Sequence, residues 1–240
     1  MILSVSNVFF SDWLLHCLKN QIIGVKNPDN QQLSIQTITP ETTDSIVFWT
    51  NNALPTLYQL DELDKMGYTY FFQYTLNAYG VDIEPNLPSV DEKLATFKAL
   101  SGEIGKTKVI WHYDPILFTP KYTLQWHIHA FTKLCRELSG YTNQCVIHFT
   151  NNDEKRESKQ KEGQPFDLNE DKVKTFSTAF TKNLKQVADA YHIQIITKNA
   201  DMDADFYRQI TGKPMYATKD IKIWIPVLDE SKWLEQTKKK

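Results

Sequence analysis

A histidine and an aspartate spaced i, i+2 close the apolar run Lys108-Val109-Ile110-Trp111-His112-Tyr113-Asp114-Pro115. In a strand alternate side chains share a face, so His112 and Asp114 point the same way near its C-terminal end. Pro115 has no N–H to donate and is expected to end the ladder. Two other runs finish with the same spacing, Gln73 with Thr75 and His148 with Thr150. Parallel strands bring their C-terminal ends to one rim, where α/β folds build their sites. The expectation is a polar cup holding two histidines and a carboxylate, with Lys198 and the loop acids Asp82 and Glu84 leaning over it. Thr50 and Asn52, at the end of another strand, and Tyr79, in the loop before Asp82, complete the expected ligand-binding set.

Three kinds of chemistry fit these residue types. Asp114 can orient or charge His112 as an acid–base pair, with His148 as a third catalytic group. A pocket for a small or nucleotide-like organic ligand is the second. The third is a divalent metal on His112, Asp114 and His148. Against all three stands the plain alternative of satisfied polar groups at strand ends, with Asp114 tying down its own turn. The organic ligand is the working expectation, and no metal is assigned. His127 and His129 fall on different faces of a helix and do not make a metal pair. Tyr68, Tyr70, Phe71, Phe72 and Tyr74 can stack bases, but aromatics in a central strand read as core. Nucleic acid stays open as a partner. There is no phosphate-binding glycine loop, no nucleophile elbow and no HExxH pair.

The elements that must position these residues alternate. Ile2–Ser6 reads as a strand, and Ser11 caps a helix through Leu18. Ile22–Lys26 and Leu33–Ile38 flank Pro and Asn punctuation as a hairpin inserted after that helix. Asp44–Thr50 is an apolar strand, followed by a helix from Pro55 through Leu63. Tyr68–Leu76 is the aromatic strand, and Ser89 with Glu92 makes a capping box ahead of the helix holding Leu94, Phe97 and Leu100. A helix over Thr123–Ser139, a strand over Gln144–Phe149 and a charged loop over Asn151–Glu170 follow. Beyond them come a helix over Asp171–Tyr191, a strand over Ile193–Lys198, a short helix over Asp203–Thr211 and a last strand over Ile221–Val227. Such alternation implies βαβ units with right-handed crossovers. The fold expected is α/β: an incomplete or open β/α, TIM-like barrel of about seven mainly parallel strands. Residues 1–228 form one domain and 229–240 a tail.

Bulk properties narrow the function classes. The 240 residues carry a formal net charge of −2, which gives no basic footprint for duplex binding. Three cysteines far apart, Cys17, Cys135 and Cys145, make neither a CxxC nor a disulfide framework. Free thiols point to a reducing compartment. The N-terminus lacks a basic leader, and no apolar run approaches the roughly 20 residues that span a bilayer. A cytoplasmic protein with no membrane partner is expected.

Several stretches together resemble a known family. They are S-I-V-F-W-T-N-N, Y-F-F-Q-Y-T-L-N-A-Y-G-V-D-I-E-P-N-L-P, V-I-W-H-Y-D-P-I-L and L-S-G-Y-T-N-Q-C-V-I-H-F, with Gly24–Pro28 and Ile210–Pro214. The chain resembles the bacterial family DUF1848 over most of residues 1–216, most specifically in Asp82-Ile83-Glu84-Pro85 and Trp111–Pro115. That resemblance implies kinship with radical-SAM barrels, and with it a [4Fe–4S] cluster on a C-terminal cysteine cluster and SAM as co-substrate. The chain departs from the family at three points: Asn7-Val8-Phe9 follows Ser6 where an Arg-Arg-Thr-Asp type stretch is usual, His112 stands where the family has arginine, and no cysteine follows Lys219. Cluster and SAM are therefore expected to be absent from this chain, and its cofactor stays unknown. Beside a ligand-binding barrel and an acid–base or metal-assisted enzyme, the sequence admits an interaction subunit completed by a partner protein.

Overall fold

The structure, a computed structural model, describes residues 2–6, 11–26, 33–149, 170–197 and 220–223. Its strands are β1 (Ile2–Ser6), β2 (Ile22–Lys26), β3 (Leu33–Thr37), β4 (Ser45–Thr50), β5 (Tyr70–Thr75), β6 (Val109–Ile116), β7 (Gln144–Phe149), β8 (Gln194–Thr197) and β9 (Asp220–Ile223). Its helices are α1 (Ser11–Asn20), α2 (Leu54–Leu57), α3 (Leu60–Lys65), α4 (Val90–Ile104), α5 (Leu124–Leu138) and α6 (Glu170–Ala190). Strands β2 and β3 pair antiparallel as the separate hairpin expected after α1.

The other seven strands form one sheet in the order β8-β7-β6-β5-β4-β1-β9, and every neighbouring pair in it is parallel. From β1 to β8 each strand is added on the same side of the last. Right-handed crossovers then put the connecting helices on one face. The core follows this rule. Leu3 and Val5, Ile46 and Phe48, Tyr70, Phe72 and Tyr74, Val109, Trp111 and Tyr113, and Cys145 and Ile147 pack with helix residues such as Leu18, Leu63, Phe97, Phe131 and Leu184. The alternate residues Ile2, Val47, Phe71 and Ile110 form a second buried cluster, joined by Trp49 and Val146, in which every described member is a strand residue. Among the described residues no helix joins this second cluster, which marks the helix-free face.

Trp111 shows how the helix face is fixed. Its ring stacks on Phe131 of α5 with centroids 5.0 Å apart, and its indole N–H donates to the Leu76 carbonyl at 2.8 Å, so no donor is stranded in the core. The sheet is open: β8 and β9 end its order and do not pair with each other among the described residues. The TIM-like expectation thus holds as far as an α/β fold with a parallel, unclosed sheet.

Three local expectations are corrected. The ladder does not stop at Pro115, because β6 runs to Ile116 with a register shift against β7 between Tyr113 and Ile116. An irregularity of this kind is where a sheet tolerates a proline. The helix expected from Pro55 through Leu63 is two, α2 and α3, separated at Tyr58–Gln59. The last strand, expected from Ile221, starts at Asp220, and as β9 it lies beside β1, at the edge of the sheet opposite β8. The expected helix over 203–211, most of the 151–170 loop and the 229–240 tail lie outside the described residues.

Candidate functional site

On the helix-free face the apolar floor gives way, toward the strand C-termini, to polar side chains of the same parity. Register sets Trp49 of β4 level with Gln73 of β5, and Thr75 of β5 level with His112 of β6. His112 is 3% exposed. Its Nε2 meets Gln73 Oε1 in a very short contact, and its ring stands edge-on to the Trp49 indole, centroids 5.1 Å apart. One strand further, His148 Nδ1 lies 3.3 Å from Asp114 Oδ1, with both side chains partly accessible at 25% and 18%. Asp114 therefore partners His148, and His112 partners Gln73.

These contacts set proton positions. A carboxylate only accepts, so His148 donates Nδ1–H to Asp114, and in the neutral ring the lone pair is then on Nε2. No described residue hydrogen-bonds that Nε2. If His112 donates to the Gln73 carbonyl oxygen, its proton sits on Nε2. The arrangement offers one buried hydrogen-bonding pair, one accessible imidazole base oriented by a carboxylate, and one aromatic wall.

The remaining expected residues are placed elsewhere. Thr50 alternates with Trp49 and so belongs to the opposite face; its hydroxyl accepts from the Asn52 N–H at 3.0 Å, while Asn52 Oδ1 accepts from Leu54 N–H at 3.1 Å. Both residues build the turn into α2. Tyr79 is buried, its hydroxyl donating to the Pro115 carbonyl at 2.7 Å and accepting from Leu117 N–H at 2.9 Å. Asp82 accepts from the Tyr122 hydroxyl at 2.7 Å and from Lys121 at 2.9 Å, and these two partners hold its carboxyl below the usual range. A side chain at Gly80 would place its Cβ 2.8 Å from that same carboxylate oxygen. Glu84 is bound to the buried ammonium of Lys93 at 2.5 Å. The described partners of both loop acids thus come from α4 and the segment before α5. Thr150 and Lys198 lie outside the described residues.

Sequence reasoning missed Trp49, Asn77 and Lys93. Trp49 was legible by parity alone, since at i, i+2 it shares a face with Val47 on the floor. Asn77 and Lys93 carry no motif.

Among the described residues no group of three or more His, Cys, Asp or Glu side chains is placed to hold a metal ion. His127 is fully buried, with the Tyr113 hydroxyl at Nδ1 (2.8 Å) and the Leu117 carbonyl at Nε2 (2.9 Å). The carbonyl must accept, so Nε2 carries the proton and the tyrosine donates to Nδ1. An iron–sulfur cluster fares no better. Cys17 on α1, Cys135 on α5 and Cys145 on β7 are all buried free thiols. Burial pushes each thiol up, Cys17 to about 12. Clusters need thiolates gathered at one place, so these three cysteines do not fit one. No described helix is long and apolar enough to cross a membrane.

No curated protein matches the chain. Among solved structures it is similar to a cysteine-to-serine mutant of spore photoproduct lyase at 14% identity and a TM-score of 0.43, covering 64% of this chain. The chain spans about half of that structure, 51% of its length. Residues 3–214 match a domain of unknown function, DUF1848, and the chain belongs to that family.

Proposed function

We propose that the chain binds a small organic ligand, nucleotide-like in size and polarity, at the C-terminal end of the helix-free face. Trp49 is its aromatic wall, and Gln73, Thr75 and His112 are its hydrogen-bonding contacts. The observation that carries this reading is the buried His112–Gln73 pair beside Trp49, at the edge of the floor made by Phe71 and Ile110. Buried polar pairs contribute little net stability compared with apolar side chains of the same shape. Sites in parallel sheets combine an apolar floor with a few convergent polar groups at this end of the strands. Three reduced thiols fit a reducing compartment, and the cytoplasm is the location that accompanies this reading.

The Asp114–His148 pair favours a second reading, an enzyme in which His148 Nε2 moves a proton on the bound molecule. A histidine oriented through Nδ1 by a carboxylate is a common form of general base. The two readings are tested together. Small molecules released by denaturation from purified wild type and His112→Ala are compared by mass spectrometry. Stoichiometric retention by wild type, lost in the variant, supports binding at this place; equal retention by both contradicts it. Once a ligand is known, His148→Gln should keep binding and lose turnover if the chain is an enzyme.

A further inference from the structure

Strand β6 outruns its neighbour. The main-chain link from Leu76 N–H to the His112 carbonyl at 2.9 Å lies just past Thr75, where β5 ends. In a parallel pair the carbonyls of residues two apart point to the same neighbour, so the Asp114 carbonyl faces the place where another β5 residue would stand. The Asn77 side chain fills it, Nδ2 donating to the Asp114 carbonyl at 2.8 Å. Asn77 is 1% exposed and its Oδ1 has no hydrogen-bond partner among the described residues. Turning the amide over would set two oxygens against each other. The contact with Asp114 thus fixes which way the amide faces. Two residues on, the Tyr79 hydroxyl bridges the Pro115 carbonyl and Leu117 N–H. These bonds hold the very segment in which the β6–β7 register shifts.

The loop bearing Asn77 and Tyr79 is itself anchored. Lys93 of α4 is 1% exposed and donates to the Asn77 carbonyl at 3.2 Å as well as to Glu84. The Tyr79 ring lies parallel to Trp126 of α5, centroids 5.7 Å apart. Helix, loop and strand end therefore form one continuous set of hydrogen bonds that finishes at the main chain of Asp114.

We propose that Asn77 and Tyr79 are positioning residues of the site, clamping the main chain of Asp114–Leu117 so that the Asp114 carboxylate stays on His148 Nδ1. This rests on the reading of Asp114 and His148 as the acid–base element of the ligand site. The clamp acts on backbone rather than on the carboxylate, so it fixes a direction without competing for the oxygen that meets the histidine.

Ring ¹⁵N NMR of His148, recorded at alkaline pH where imidazoles are neutral, reads the tautomer directly. Wild type should show the Nδ1–H form, and Asp114→Asn should shift it toward the Nε2–H form that free imidazoles favour in water. Asn77→Ala and Tyr79→Phe should each produce a partial shift in the same direction, with the Trp111 indole signal unmoved as a check that the fold persists. Tyr79→Phe keeps its ring in place and decides the matter if Asn77→Ala does not fold. Wild-type ¹⁵N patterns in both clamp variants, with a changed pattern in Asp114→Asn, would overturn the positioning role and leave the acid–base pair standing. An unchanged pattern in Asp114→Asn as well would overturn the pair itself. Retention of a small molecule by mass spectrometry is independent of either result.

Discussion

His112 and His127 are both buried histidines, and their partners separate their roles. His127 has both ring nitrogens engaged by its own surroundings, and burial pulls its pKa below the ordinary value of 6.5. The folded chain resists protonating it. Its contribution to stability is fully present above 6.5 and is lost as pH falls through that value toward the depressed one. Urea midpoints at about pH 7.5 and about pH 5 should therefore drop further in wild type than in a His127→Gln variant; equal drops would show that His127 is not held neutral. Lys93 supplies a second test at this scale. Glu84→Ala strands a buried ammonium and should cost about 3–5 kcal/mol, whereas Lys93→Met should be much milder, read again as urea midpoints. The same residues mark what a sequence can yield. Two positions per turn of the pleat put His112 with Asp114 and Gln73 with Thr75, and that much was legible. Which histidine Asp114 would meet depended on the spacing between β6 and β7, which no local pattern encodes.

Among the elements, α4 was the most legible. Ser89 and Glu92 form the full capping box, with Ser89 N–H donating to Glu92 Oε2 at 2.8 Å and Glu92 N–H to Ser89 Oγ at 3.3 Å. Ser89→Ala should cost about 1 kcal/mol in chemical denaturation without changing the slope; no loss would mean that tertiary packing alone starts the helix. Strand existence was equally clear, because continuous apolar runs such as Val109–Trp111 must be covered on both faces. Strand ends were not. Thr50 closes β4, but parity counted from Val47 puts Trp49, not Thr50, on the face of the site. A proline removes one donor and so favours a stop at Pro115; β6 accommodates it where its register with β7 slips, and side chains of the β5–α4 loop donate to the carbonyls of Asp114 and Pro115. Propensity reports a residue's preference, and here tertiary hydrogen bonds overrode it.

At the scale of the molecule, alternation of strands and helices foretold a parallel sheet, while the position of β9 beside β1 is long-range pairing that leaves no local trace. Thiol chemistry probes the whole packing at once. All three cysteines are buried with raised pKa, so a thiol reagent should label none of them at neutral pH until denaturant is added; rapid labelling of the native chain would contradict this packing. On the proposed function, the polar end of the helix-free face receives a small molecule. The most direct test is an indole ¹H–¹⁵N spectrum, with the Trp49 signal assigned by Trp49→Phe, recorded as a low-molecular-weight extract of the expression host is added. A saturable shift of the Trp49 signal is expected, abolished in His112→Ala, while the Trp111 signal on the helix face stays where it was. A spectrum in which Trp49 does not move, whether other signals shift or none do, would contradict that function.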